Sequence, residues 1–243
     1  MEKQAVILAG GKGSRLGPYT TVLPKPLLPV GDRAILDVVV RQLAAYGFGD
    51  ITLAVGYLAH LVQAVFADGS DKGVSITYHE EETPLGTAGA LGSISTLNGH
   101  PFLVMNGDVL TALDYQALYR SHQESDNILT IATHQRNVHI DYGVLHVSPN
   151  GNTTDLVTDY EEKPSIDYRV SMGIYVADPR LLEYIEPGTY LDLPDLVKRL
   201  IDAGEHVGSF LYEGFWLDIG RHEDYERAIE NYEELKSSLF PGG

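Results

Sequence analysis

The sequence contains no cysteine. That excludes disulfides, thiolate catalysis and cysteine-bound zinc, while leaving the compartment open. Basic residues are scarce: 17 lysines and arginines stand against 34 acidic residues, a formal net charge of −17. A surface that acidic repels nucleic acid and anionic membranes, so a nucleotide has to be held by a local site. No window approaches the ~20 apolar residues of a membrane span, and the N-terminal apolar run is too short for a signal peptide. Cytoplasmic residence, with no membrane or nucleic-acid partner, is the expectation. Repeats, low-complexity tracts and linkers are also lacking. The nine histidines are scattered without convincing metal-ligand spacing, and read as structural or surface residues.

A chain of 243 residues, 44% of them hydrophobic, is globular and long enough for one large α/β domain or two small ones. Apolar runs at Ala5–Ala9, Ile51–Val55, Val74–Tyr78 and Phe102–Met105 read as strands. Helical stretches at Ile35–Tyr46 and Leu58–Phe66 alternate with them. That alternation predicts a largely parallel sheet covered on both faces, with ligands held in loops beyond the carboxyl ends of its strands. The second half is richer in strands, at Ile128–Thr133, Gly143–Val147 and Val170–Val176, with helices at Leu193–Ala203 and Glu223–Leu235. The charged stretch after Tyr232 and the Pro241-Gly242-Gly243 tail read as mobile.

After the first strand comes Gly10-Gly11-Lys12-Gly13-Ser14-Arg15-Leu16. The Walker pattern requires Gly-Lys followed directly by Ser or Thr, but Gly13 follows Lys12. The third glycine of the dinucleotide fingerprint falls on Leu16. Glycines alone would make an ordinary strand-to-helix turn. Arg15 and Lys25 change the reading, because bare amides beside a guanidinium and an ammonium suit a polyphosphate.

Asp108 follows an apolar strand in Asn106-Gly107-Asp108, and Asp218 lies in Trp216-Leu217-Asp218-Ile219-Gly220. Either alone reads as a turn or cap. Beside a polyphosphate, two carboxylates suit one Mg²⁺, although a separation of 110 residues does not itself bring them together. In Glu162-Lys163-Pro164, proline favours an extended predecessor, which would project Lys163 into a cleft toward a second phosphate. Glu162 and Asn106 can accept from sugar hydroxyls, and Tyr142, beside Gly143, is the tyrosine placed near a ligand. The run His79 to Gly89 combines the acids Glu80, Glu81 and Glu82 with a second glycine turn. A carboxylate is acceptor-only, so it can pair with the adjacent N1–H and N2–H₂ donors of guanine but not with thymine or uracil. The same triplet also suits a solvated loop.

With these motifs in place, the chain resembles the sugar-1-phosphate nucleotidyltransferases from Ala5 to about Tyr225. The resemblance rests on the glycine loop with its downstream Lys25-Pro26, on Pro-Leu-Gly-Thr-Ala-Gly from Pro84 to Gly89, on Gly107-Asp108, on Glu162-Lys163-Pro164, and on Trp216 to Gly220. It implies a Rossmann-like α/β fold, a mixed and mostly parallel central sheet flanked by helices. One domain would span 1–243, with a nucleotide half at about 1–110 and a sugar-phosphate half at about 111–235. It implies the reaction of a nucleoside triphosphate with a sugar 1-phosphate to give a nucleotide sugar and pyrophosphate. Arg15, Lys25, Asp108 and Asp218 match the catalytic positions, the two aspartates as Mg²⁺ ligands. Leu8, Ala9, Gly10, Gly11, Gly13, Ser14 and Arg15, with Glu81, Pro84, Gly86 and Thr87, match the nucleotide site. Asn106, Tyr142, Gly143, Glu162 and Lys163 match the sugar-phosphate pocket. Pro26 and Glu81 stand where thymidylyltransferases of the family typically carry glutamine, and the Pro84 segment looks more like the mannose-1-phosphate and heptose-phosphate guanylyltransferases. Guanylyl transfer to a manno-configured sugar is the expectation. Uridylyl or thymidylyl transfer to glucose 1-phosphate is the first alternative, and a non-catalytic nucleotide-sugar-binding subunit the second. The chain stops too early for the C-terminal left-handed β-helix of longer members, and a homo-oligomer is left open.

Overall fold

Short runs rich in Val, Ile and Leu, apolar on consecutive residues, form strands that are buried on both faces. In a computed structural model, which describes residues 3–81, 83–97, 99–151 and 154–240, runs of this kind form the centre of one seven-stranded sheet. Its strands are β1 (Lys3–Leu8), β2 (Phe48–Val55), β3 (Ser75–Glu80), β4 (Phe102–Asn106), β5 (Leu129–His139), β6 (Ser165–Ala177) and β7 (Val207–Leu211). Their order is β7-β5-β6-β4-β1-β2-β3. Strands β1 to β4 run parallel to one another, β6 runs antiparallel between β4 and β5, and β7 is parallel to β5. The sheet is therefore mixed and mostly parallel.

The chain moves outward from β1 through β2 to β3, then returns to place β4 on the other side of β1. That reversal leaves a crevice beyond the carboxyl ends of β1 and β4. The two ends are level, with Leu8 paired to Asn106 and the Gly107 amide donating to the Leu8 carbonyl at 2.9 Å. The glycine loop and Asp108 consequently leave the sheet side by side.

Alternate residues serve opposite faces. Ala5 and Ile7 pack with Leu36, Val39 and Leu43 of α1 (Ile35–Ala45), with Phe66 of α2 (Ala59–Phe66), and with Leu118 of the helix Tyr115–Gln123. Val6 and Val104 pack on the other side with Leu193, Leu196 and Leu200 of the helix Leu193–Asp202. A third, smaller core joins Leu16 of the glycine loop and Val30 and Val38 to Leu217, Tyr225, Tyr232 and Leu239. Most of its far side is the last helix, His222–Leu239. Among the described residues no helix is long and apolar enough to cross a membrane.

That last helix corrects an expectation. The chain after Tyr232 is not loose but helical to Leu239, because Tyr232 and Leu239 are buried. The buried Gln42 amide also donates to the carbonyls of Leu239 and Thr111, both at 2.8 Å. The tail from Pro241 lies outside the described residues. Strands β5 and β6 run well past the expected 128–133 and 170–176, as an exposed extension. A further strand, Leu156–Glu162, pairs antiparallel with Gly143–Ser148.

Gly31 gives the fold a sharp test. It has φ +61°, and a Cβ there would stand inside the Tyr232 ring. Gly31→Ala combines a left-handed penalty of about 1–2 kcal/mol with overpacking of about 1–3 kcal/mol. The expected loss is about 3 kcal/mol in denaturant unfolding, or about 6–12 °C in Tm for a chain of this size. A loss below about 1 kcal/mol would show that the helix can move off the turn at little cost.

Candidate active site

The glycine loop is shaped by backbone bonds before any ligand arrives. Gly13 adopts φ +61°, and a Cβ there would press on Thr20 and Lys25 at 3.0 and 3.1 Å. Its carbonyl accepts from the Leu16 amide and the Thr20 hydroxyl, each at 2.9 Å. Leu16 is fully buried, and the turn Ser14–Leu16 leaves Arg15 exposed.

Lys25 stands on the turn Lys25–Leu27, only 9% exposed, and its ammonium is ion-paired to Asp108 Oδ2. The other oxygen, Asp108 Oδ1, is buried and has no hydrogen-bond partner among the described residues. Asp218 is brought alongside by a short ribbon in which Trp216–Asp218 pairs antiparallel with Val109–Thr111. The register sets Asp218 opposite Val109, and the Ile219 amide donates to the Asp108 carbonyl at 3.0 Å. Although Asp218 is solvent-exposed, desolvation by its neighbours pushes its carboxyl above its ordinary pKa, and the Asp108 charge adds to the rise, while Lys25 and Arg15 oppose it. Among the described residues no three His, Cys, Asp or Glu side chains converge as a metal site. A cation here would take two carboxylates and complete its shell from phosphate and water, as Mg²⁺ prefers.

Two cavities meet at this pair. The smaller, about 170 Å³, is lined by Leu8, Ala9, Gly11, Gly13, Arg15, Lys25, Pro26 and Asp108. The larger, about 350 Å³, is lined by Leu8, Gly10 and Gly11, by Glu81, Pro84, Gly86 and Thr87, and by Asn106 and Asp108. Leu8, Gly11 and Asp108 border both, so the two are ends of one cleft. Glu81 Oε1 accepts from the Leu85 amide at 3.0 Å, which closes its loop and leaves Oε2 clear of that bond. Glu82 lies outside the described residues.

Two lining residues carry no signal in the sequence. Asp192 Oδ1 accepts from the Thr87 amide and hydroxyl at 3.0 and 3.2 Å, and its Oδ2 accepts from the Tyr190 hydroxyl at 2.7 Å. These bonds, the Thr87 amide first, hold Asp192 below the usual carboxylate range, so it stays ionised. In sequence, Asp192-Leu193-Pro194 reads only as a helix start.

Ser14, Asp218, Tyr142, Gly143, Glu162 and Lys163 line neither cavity. The last four stand on or beside the ribbon Gly143–Ser148 with Leu156–Glu162, where Tyr142 is 79% exposed and Glu162 accepts from the Tyr160 hydroxyl at 2.7 Å. The expected extended backbone at Lys163 is corrected: its φ is +47°. The chain passes from that ribbon into β6 within two residues, and a left-handed residue makes so sharp a turn. The Ile140 amide fastens it at the Pro164 carbonyl, 3.0 Å away.

Residues 4–235 match the nucleotidyl transferase family model. A UTP–glucose-1-phosphate uridylyltransferase from Synechocystis is 32% identical over 98% of this chain and 66% of its own length. A mannose-1-phosphate guanyltransferase from Schizosaccharomyces pombe is 34% identical over 91% of this chain and 62% of its own. The chain thus spans somewhat under two thirds of the length of these relatives. Among solved structures, a putative glucose-1-phosphate thymidylyltransferase from Bacillus anthracis superposes with a TM-score of 0.75 at 26% identity, covering 94% of each chain. HddC from Yersinia pseudotuberculosis, complexed with GMP-PN, gives 0.72 at 25% identity over 96% of this chain and 100% of that one. The fold is the Rossmann-like one of these neighbours. The chain therefore belongs to the nucleotidyl transferase family, among the sugar-1-phosphate nucleotidyltransferases.

Proposed function

We propose that this protein transfers a nucleotidyl group from a nucleoside triphosphate to a sugar 1-phosphate, and that guanylyl transfer to a manno-configured sugar is its reaction. The observation that carries the transfer reading is the Lys25–Asp108 pair at the junction of the two cavities, with Asp108 Oδ1 buried and unpartnered beside Asp218. The first half of the chain holds the nucleotide and the second the sugar phosphate.

A buried carboxylate oxygen without a donor, next to a second carboxylate, fits a divalent cation. Asp108 and Asp218 would hold Mg²⁺, which when bound supplies charge neutralisation for the phosphates. The protein's own groups do the rest. The amides of Gly10, Gly11 and Gly13 and the Arg15 guanidinium bind the triphosphate. Lys25 faces the α-phosphoryl group. Lys163, with Asn106, Tyr142, Gly143 and Glu162, receives the sugar 1-phosphate.

A sugar 1-phosphate has a second pKa near 6, so it is largely dianionic at pH 7 and needs no general base. Its oxygen attacks the α-phosphorus in line and forms the new P–O bond. The bond from the α-phosphorus to the bridging oxygen breaks, and pyrophosphate leaves with that electron pair. Catalysis is alignment and charge neutralisation.

The base reading rests on Glu81. Guanine presents two adjacent donors to a carboxylate. In Glu81→Gln the amide oxygen remains on the Leu85 N–H, which turns the NH₂ toward the base. Loss of a charge-assisted hydrogen bond, worth roughly 1.5–3 kcal/mol, then lowers kcat/KM for GTP by about tenfold to a hundredfold. UTP and dTTP are spared, so the preference ratio moves. An unchanged ratio in Glu81→Gln would remove Glu81 from base reading.

The uridylyltransferase relative, matched at an identity similar to that of the guanyltransferase, favours a second reading: uridylyl or thymidylyl transfer to glucose 1-phosphate. Pyrophosphate release from four nucleoside triphosphates, each against several sugar 1-phosphates with Mg²⁺, separates the readings. A preference for UTP or dTTP would overturn the guanylyl assignment. No turnover with any pair would overturn transfer itself and leave a nucleotide-sugar-binding subunit.

A further inference from the structure

The segment after Asp218 does more than deliver a carboxylate. His222, in the first turn of the last helix, places its Nε2 2.8 Å from the carbonyl oxygen of Gly17. A carbonyl only accepts, so the imidazole is the donor and carries its proton on Nε2. Two residues further on, the Tyr19 ring lies between the rings of His222 and Tyr225, with centroids 5.7 and 5.9 Å away. Tyr225 is itself fixed, its hydroxyl donating to the Pro29 carbonyl at 2.7 Å.

These contacts close the one side of the Arg15 turn that the loop does not hold by itself. At its start, Gly13 is held by Thr20 and Leu16. In its middle, Leu16 is buried in the third core. At its end, the Gly17 amide reaches the Ser14 carbonyl only at 3.3 Å, and the Gly17 carbonyl is taken by His222. The same short segment is tied to the carboxylate pair, through Ile219 to the Asp108 carbonyl at 3.0 Å and through Gly220 to the Asp218 carbonyl at 2.9 Å. One piece of chain, residues 218–222, therefore carries Asp218, is bonded to the backbone of Asp108 and reaches the far end of the glycine loop.

We propose that His222 is a positioning residue: by donating to Gly17 and flanking Tyr19, it holds the Ser14–Leu16 turn so that Arg15 meets the triphosphate already oriented. This rests on the nucleotidyl-transfer reading, and it assigns His222 no contact with substrate.

The test compares His222→Ala, His222→Gln and His222→Asn by steady-state kinetics and by hydrogen exchange of the whole protein. A side-chain hydrogen bond of this kind corresponds to about a fivefold to tenfold effect. His222→Ala is expected to raise the KM for the nucleoside triphosphate by about that factor, with kcat and the KM for sugar 1-phosphate changed less than about twofold. The glutamine amide reaches the position of imidazole Nε2, so His222→Gln recovers to within about twofold of the wild type. The shorter asparagine does not. Amides of residues 14–21 exchange faster in His222→Ala, while those of β4 are unchanged. In an Arg15→Ala background, adding His222→Ala changes the triphosphate KM less than about twofold, because both act through one group. An unchanged KM and unchanged loop exchange in His222→Ala overturns the proposal. So does a glutamine variant as impaired as alanine, or a fully additive effect with Arg15→Ala. If the wild-type protein turns over no substrate pair, the transfer reading falls alone. Loop exchange and calorimetric affinity for inorganic tripolyphosphate then decide the role of His222 on the same expectations.

Discussion

Asp108→Asn lowers turnover by about two to three orders of magnitude at Mg²⁺ below saturation, and so does Asp218→Asn. Each change removes one anionic oxygen donor from a site that has only two carboxylates among the described residues. An amide oxygen can still coordinate, but it neutralises no charge, so raising Mg²⁺ restores part of the loss. The fold survives Asp108→Asn because Lys25 also feels the charge of Asp218. The unfolding midpoint is therefore expected to move far less than kcat does. Kinetics at several Mg²⁺ concentrations, beside a thermal melt of each variant, make the measurement. Near-normal turnover in either variant at low Mg²⁺ would remove that aspartate from the cation site.

Lys25→Ala is expected to lower kcat/KM for the nucleoside triphosphate by about a hundredfold to a thousandfold. The ammonium is nearly buried against Asp108 at the edge of the smaller cavity, where the low dielectric strengthens its pull on an anion. Its removal also leaves Asp108 and Asp218 facing each other without that cation, so some stability is lost as well. Lys163→Ala gives the contrast. In the proposed reading Lys163 meets the sugar 1-phosphate, so its loss raises that KM; it borders neither cavity, so triphosphate affinity stays within about twofold. A Lys163→Ala variant that loses nucleotide affinity and keeps its sugar-phosphate KM would show that the lysines belong to each other's pockets.

Some parts of this site are legible along the chain because local chemistry fixes them. Ala5 to Leu8 are consecutive and apolar, so a buried strand follows, and Gly10 to Gly13 mark where it must turn. Other parts depend on distant partners. Nothing near Asp218 shows that it will pair opposite Val109; the ribbon does that. Lys163 reads as extended from Pro164, yet connectivity between two ribbons turns it left-handed. The outer half of β5 carries Gln135, Arg136 and Asn137 in succession, with no apolar alternation to betray a strand, whereas in the outer half of β6 Ile166, Tyr168 and Val170 do alternate with Asp167 and Arg169, so that extension is legible. The strand Leu156–Glu162 hides for another reason. A bulge at Thr158 resets its alternation, so Val157 and Tyr160 pair with Val147 and Leu145. Asp192 looks like a helix cap, and only the docking of Thr87 makes it part of the cleft wall.

The third core has a consequence for the order in which the protein becomes functional. Leu16, Val30 and Val38 are made early, but the side chains that cover them, Leu217 to Leu239, are the last of the described chain to be made. At roughly 5–20 residues per second, the roughly 200 residues between Val38 and Leu239 take ~10–40 s to synthesise. Once Glu80 has been made, β1, β2 and β3 can pair for the remainder of that interval, while the seat of Leu16 stays open and the arginine beside it has no fixed direction. The nascent chain thus carries its glycine loop long before the core that fixes it is complete. Competence arrives late, in one step, with the closing helix.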